Sequence, residues 1–187
     1  MTGVQTCALP ISATAGRPPR GTEIRILDGE GRDVPTGTAG RIFVRSALLF
    51  EGYTDGNTKP IIDGFMGTGD VGRLDADGLL FVEGREDDMI VSGGENVFPG
   101  EVEDAISLMV GVRDVAVVGV ADDEFGARLC AYVVCTDGSL TEDAVRAWVR
   151  DHLARYKVPR DVVFMNELPR NTTGKLLRRQ LGADTAG

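Results

Sequence analysis

Histidine and cysteine are scarce in this chain: 187 residues contain one histidine, His152, and three cysteines. A structural zinc site takes four ligands, and no cysteine pair stands at ligand spacing, so a zinc module is not expected. A catalytic triad would rest on His152 alone, on a predicted helix, and the geometric demands on nucleophile and base make that a poor reading. Cys130 and Cys135 fall in one predicted strand, RLCAYVVC. Their odd separation puts them on opposite faces, badly placed to bridge. A reduced, cytoplasmic setting is therefore expected. Basic residues are outnumbered, 20 Lys+Arg against 29 Asp+Glu, for a net charge of -9. A nucleic-acid partner is not expected, because a phosphate backbone needs a basic face. No apolar run approaches the roughly 20 residues that span a bilayer, so no transmembrane segment is expected.

What is present is ordinary for a soluble globular chain: 42% hydrophobic and 26% charged residues. The length allows one domain or two small ones. Residues 1–20 lack the basic start and long apolar core of a signal peptide. They fit nothing downstream, and VQTCALPIS reads as translated sequencing-adapter read-through. Residues 1–20 are thus expected to be an unstructured, non-native segment.

From Gly21 on, TEIRIL and RIFVRS alternate as strands, with Asp28-Gly29 as a turn. RLDADGLLFVEG reads as a hairpin turning at Asp77-Gly78. Residues 21–85 are therefore antiparallel β structure, too short for a complete barrel. Beyond residue 85 the character changes. Pro99 opens a helix, with Val102, Ala105, Ile106 and Met109 at helical spacing. VRDVAVVGVAD and RLCAYVVC follow as strands. Thr141 reads as an N-cap before Glu142 and Asp143. Val145, Trp148, Val149, His152 and Leu153 mark one face of the helix it starts, which stops before Pro159. DVVFM is a last strand. The fold class is α+β: a fragment of an antiparallel β subdomain, then a small C-terminal domain, residues 86–187, with a short sheet flanked by helices.

Three motif matches fail on context. GTGDVG fits G-x-G-x-x-G by letter, but a hairpin follows it rather than a helix. DADG suggests a calcium loop, yet the first and twelfth ligand positions would be Arg73 and Gly84. Gly174-Lys175 lacks the Ser/Thr and the upstream Gly of a phosphate-binding loop. No metal-binding residues are assigned.

GTGDVG, GREDDMIVSGGENVFPGEVED and ELPRNTTGKLLRRQL occur in this order at these separations. Together they resemble the C-terminal portion of the adenylate-forming superfamily of acyl-CoA synthetases, adenylation domains and luciferases. The resemblance covers roughly residues 21–181. SGGEN points toward acyl-CoA synthetases, and EGYTDGNTK with DGFMGTGDVG is similar to bacterial fatty-acid-CoA ligases. The resemblance implies that residues 21–85 are the end of a large AMP-binding domain and residues 86–187 a mobile lid. It implies a ligase that activates a carboxylic, here fatty, acid as acyl-AMP and passes it to coenzyme A, using ATP and Mg2+.

The same resemblance implies residue roles. Asp70 accepts hydrogen bonds from the ribose hydroxyls, as an ionised carboxylate can from a vicinal diol. Arg85 contacts ribose or phosphate. Asp87 is the hinge about which the lid swings. Gly93 and Gly94 let the backbone approach the pantetheine arm, Glu95 stands near the thioester-forming site, and Tyr156, Lys157 and Arg160 hold the coenzyme A nucleotide. Lys175 bridges the α-phosphate and the attacking carboxylate. Arg178 and Arg179, at i+3 and i+4 from it, either steer anions or form a solvated helical face, the second being the expected reading. Read without the resemblance, Asp70 is a turn residue, Asp87 part of a solvated acidic run, and Gly93-Gly94 a turn before the Pro99 helix.

No phosphate loop ending in Lys occurs in the chain, nor a Tyr-x-x-Thr-Glu-type segment, and the acyl pocket belongs to the N-terminal AMP-binding domain. The isolated chain is therefore expected to be inactive, with that domain as its partner. Two alternatives stay open: a non-catalytic stand-alone lid binding coenzyme A or a partner domain, and the adenylation domain of a peptide synthetase.

Overall fold

The computed structural model describes residues 14–47, 59–136 and 138–181. Most of EGYTDGNTK and residues 1–13 lie outside the described residues. The chain forms two compact units, Met1–Asp87 and Asp88–Gly187.

In the first unit, β1 (Thr22–Leu27), β2 (Gly40–Ser46), β3 (Ile61–Ile62) and β4 (Phe65–Leu74) lie in the order β1-β2-β4-β3, and β5 (Leu80–Arg85) also pairs with β4. Every pairing is antiparallel. The sheet buries Leu27, Phe43 and Phe65, with Ile62 against them. The guanidinium groups of Arg25 and Arg45 lie 5.3 and 4.3 Å from the centre of the Phe65 ring, a cation–π cover for an otherwise thin core. The β4–β5 turn forms as DADG suggests: Asp75 Oδ1 accepts from the N–H of Asp77 and of Leu79, both at 2.9 Å. GTGDVG lies inside β4. The expectation that residues 1–20 are unstructured is corrected at its end. Leu80 offers an N–H and a C=O at the start of β5. Ala15 N–H donates to the Leu80 carbonyl at 2.7 Å, and Gly16 accepts from its N–H at 2.9 Å.

In the second unit, β6 (Ile90–Ser92) and β7 (Glu95–Val97) form a hairpin, followed by α1 (Pro99–Ser107), β8 (Val112–Asp122) and β9 (Gly126–Cys135). Next come α2 (Glu142–His152), β10 (Asp161–Phe164) and α3 (Arg178–Leu181). The sheet order is β10-β9-β8, with β8 antiparallel and β10 parallel to β9. Both long helices contribute to the core on one face of the sheet: Val102 and Ile106 of α1, and Val145 and Val149 of α2, pack with Val117, Leu129, Ala131 and Val133. On the other face Val118, Cys130, Tyr132 and Val134 pack with Leu168 and Leu181. Burial on both faces explains why β9 reads as a continuous apolar run rather than an alternation. Cys130 and Cys135 fall on these opposite faces. Burial pushes the Cys130 thiol up.

Thr141 caps α2 by accepting from the Ala144 N–H at 3.2 Å. Trp148 Nε1 donates to the Ala105 carbonyl at 2.7 Å, tying α2 to α1, and His152 stacks on Trp148 at 4.0 Å. Met109 is buried although α1 ends at Ser107. No helix among the described residues is long and apolar enough to cross a membrane. Ile106→Ala in this core is expected to cost about 2–5 kcal/mol in urea unfolding. Val110→Ala, at a side chain 95% exposed, is expected to change stability by less than about 0.5 kcal/mol. Equal effects would contradict the packing.

Candidate functional site

Lys175 sits on a turn built by Asn171. The Asn171 side-chain Oδ1 accepts from the N–H of Thr173 at 3.1 Å and of Lys175 at 2.8 Å. The Asn171 N–H donates to the Lys175 carbonyl at 2.9 Å. Gly174 takes φ +82°, a left-handed conformation that glycine adopts without a Cβ penalty. Every residue from Asn171 to Lys175 is exposed. Among the described residues, no hydrogen bond or ion pair engages the Lys175 ammonium. The backbone is thus fixed and the cation left free.

Arg178 corrects the expectation of a solvated helical face. Its guanidinium donates to Glu103 at 2.5 and 2.9 Å and to the Val117 carbonyl at 2.8 Å. This contact raises its pKa, chiefly through the hydrogen bond to Glu103. Arg179 is exposed. The partner of Arg178 is 75 residues away in sequence, which no local pattern could reveal.

A groove of about 470 Å3 in the second unit gathers Gly93, Glu95, Tyr156 and Arg160 with Phe125, Arg155 and others. Phe125 and Tyr156 are 39% and 43% exposed. Arg160 lies 5.1 Å from the Phe125 ring centre and donates to Asp122 at 3.2 Å. The Asp122 carboxyl is held below the usual carboxylate range, first by the Phe125 N–H and also by the Glu124 N–H and the nearby Arg160 and Arg128. Arg146 is paired with Glu142 and Asp143. Arg155 lines the groove with no side-chain partner among the described residues. The groove therefore offers two ring faces and one uncommitted cation, an arrangement that can stack a planar ring and hold an anion. Sequence reading missed Phe125 and Arg155. RLCAYVVC and YKVPR flank them, but only the fold brings the two together.

Lys157 does not line this groove. Its ammonium pairs with Glu101 and lies 5.5 Å from the Tyr156 ring centre. Gly93 and Gly94 are the turn of the β6–β7 hairpin, at φ +59° and +85°. The Gly93 N–H donates to the Phe125 carbonyl at 3.0 Å, and a Cβ there would meet the Phe125 ring at 3.1 Å.

In the first unit Asp70 and Arg85 are register partners on β4 and β5, with Arg85 Nε 3.5 Å from Asp70 Oδ1. Arg85 and Asp87 line a groove of about 330 Å3 with Arg41, Lys59 and Thr68. Arg41 Nε is buried without a hydrogen-bond partner among the described residues, and Lys59 Nζ donates to the Thr68 carbonyl at 2.9 Å. Arg41 lies outside the motifs quoted above, and Lys59 and Thr68 fall within EGYTDGNTK and GTGDVG without being singled out there. Asp87 occupies a single 3-10 turn, Glu86–Asp88, between the end of β5 and the start of β6. Among the described residues no cluster of three or more His, Cys, Asp or Glu is placed to hold a metal.

Residues 101–175 match the family of AMP-binding enzyme C-terminal domains. More particularly, the chain is 38% identical over 179 residues to the long-chain-fatty-acid–CoA ligase of Salmonella typhimurium, covering 94% of this chain and 32% of that one. It is 39% identical over 171 residues to the 2-succinylbenzoate–CoA ligase of Bacillus cereus, covering 90% and 35%. Among solved structures, o-succinylbenzoate CoA synthetase from Bacillus subtilis, in complex with its acyl-adenylate intermediate, aligns with a TM-score of 0.82 at 33% identity, over 90% of this chain and 35% of that one. The amide bond synthetase McbA from Marinactinospora thermotolerans aligns at 0.79 with 36% identity, again over 90% and 35%. The chain spans about a third of the length of the relatives it matches.

Adenosine 3′,5′-bisphosphate titrated into the labelled chain is expected to shift the NMR signals of Gly93, Phe125, Tyr156 and Arg160. Tyr156→Ala should weaken it by roughly fivefold or more, the stacking of one base. Shifts confined to the Asp70–Arg85 strands would contradict the assignment.

Proposed function

We propose that the chain is the lid and the end of the large domain of an ATP-dependent acyl-CoA ligase. The ligase joins a carboxylic acid, of the fatty-acid class, to coenzyme A through an acyl-adenylate. The observation that carries this reading is the free ammonium of Lys175 on its rigid turn. In the first half-reaction a carboxylate oxygen attacks the α-phosphorus of ATP, an α-phosphate oxygen bond forms, and pyrophosphate leaves with the electrons of the broken P–O bond. Both reactants are anions and repel each other on approach. A compact ammonium between them offsets that repulsion and follows the charge as it moves. An ammonium already paired inside its own domain could not do so without breaking that pair.

In the second half-reaction the thiol of coenzyme A attacks the acyl carbon and AMP leaves. The groove of Phe125, Tyr156 and Arg155 supports coenzyme A as the acceptor, because its nucleotide combines an adenine ring with phosphates. Asp70 and Arg85 are assigned to the ribose and phosphate of the nucleotide. Asp87 is assigned as the pivot, since the turn it occupies ends one element and begins the next. The fatty-acid class rests on the names of the relatives. Mg2+ enters with ATP, and the residues described here supply no site for it. The N-terminal AMP-binding domain is the partner, and the setting is the cytoplasm, where Cys130 and Cys135 stay reduced.

The test places residues 14–181 in the Salmonella ligase in exchange for the segment they match. Lys175→Ala is expected to slow ATP–pyrophosphate exchange by about 10²–10³, the worth of one preorganised donor. It should spare thioester formation from supplied acyl-AMP. Equal loss of both activities would overturn the role of Lys175.

A further inference from the structure

β8 is an edge strand of its sheet, so one side of its backbone faces away from β9. At Val117 this outward edge is closed by two side chains instead of a strand. Glu103 Oε1, from α1, accepts the Val117 N–H at 2.7 Å, and Arg178 donates to the Val117 carbonyl at 2.8 Å. Glu103 and Arg178 also grip each other through both carboxylate oxygens. Their side chains are 16% and 32% exposed, so water screens the pair less than an ordinary surface bridge. The fork of a guanidinium supplies all three donations at once, which an ammonium cannot do in the same geometry.

Arg178 stands three residues after Lys175 and opens α3. Leu181, at the other end of α3, is buried, and its carbonyl accepts from the Tyr132 hydroxyl. Before the turn, Arg170 donates to Asp114 at 2.8 Å and to the Gly174 carbonyl at 3.0 Å. The Leu177 N–H donates to the Pro169 carbonyl at 2.8 Å. The lysine turn is thus stapled to β8 on both sides, by Arg170 through Asp114 and by Arg178 through Val117 and Glu103. These arginines are committed to protein contacts, and Lys175 between them is not.

We propose that Arg178 and Glu103 are positioning residues for Lys175: their three-way contact with Val117 fixes the base of the turn and thereby the direction in which the ammonium projects. The proposal rests on the role given to Lys175 above. Two measurements keep the two apart.

Hydrogen exchange on the 187-residue chain reads the staple without reference to activity. In Arg178→Ala the amides of Gly174, Lys175 and Leu177 are expected to exchange about tenfold faster, while amides in the middle of β9 keep their rates. Arg178→Lys, which retains the charge and guards against simple unfolding, should fall between Ala and the wild type. Unchanged exchange at the turn would overturn the proposal, and so would equal acceleration throughout the unit, which marks a merely structural role.

In the Salmonella hybrid, Arg178→Ala is expected to lower kcat for ATP–pyrophosphate exchange by about ten- to a hundredfold, the effect of a small misplacement, with KM for ATP unchanged. In a Lys175→Ala background the same change should have no further effect, because residues acting through one group are not additive. Equal losses in both backgrounds would overturn the proposal. If Lys175→Ala alone leaves exchange activity intact while the turn amides respond to Arg178, the reading of Lys175 fails and the staple stands.

Discussion

An ammonium can act on two approaching anions only if nothing in its own domain neutralises it first. That condition is demanding in a chain with 29 acidic residues and a net charge of -9. Much of the second unit is arranged consistently with it. Arg128, Arg146, Lys157, Arg160, Arg170 and Arg178 are all drawn into ion pairs. Among the described residues Lys175 escapes pairing: Asn171 holds its backbone in an exposed turn, and the neighbouring arginines occupy Asp114 and Glu103. The same economy leaves Arg155 uncommitted at the rim of the groove. Surface pairs of this sort are worth little to stability singly, but they decide which cations stay available.

The sheet of the second unit supplies the frame. Its central strand is buried on both faces, so β8 and β10 are held in fixed register on either side of it. The helices cover one face and the C-terminal segment covers the other. The lysine turn is therefore an extension of the segment that buries Leu168 and Leu181, rather than a loose tail. A turn anchored in a core has a defined direction, and a cation that must meet a developing charge needs one.

Strands and the capped helix were the most legible parts of the sequence. The alternation in TEIRIL, the β-branched run in VRDVAVVGVAD and the Thr141 cap each encode their element within a few residues. What lay beyond reach depended on pairs distant in the chain. Arg178 reads as a solvated arginine until Glu103 and Val117 are placed beside it. Lys157 reads as a contact to the coenzyme A nucleotide, and its pairing with Glu101 lies in no local pattern. The short β6–β7 hairpin was visible only as two glycines before a proline, because three-residue strands leave no periodicity to read. Phe125 and Arg155 became part of a groove only when β8, β9 and the segment after α2 came together. The position of Lys175, by contrast, was set by an ordered series of motifs and a Thr-Gly turn, and its exposure follows from Asn171, Thr173 and Gly174 alone.

The central claim is that Lys175 is free in the lid and becomes occupied between two anions in the working enzyme. Competitive amine labelling, read residue by residue in the hybrid ligase, tests this directly. Lys175 should react readily in the absence of ligands and be protected when ATP and a carboxylate that cannot react are bound together, while Lys157 changes little. Labelling of Lys175 that is slow from the start, or indifferent to both ligands, would contradict the claim.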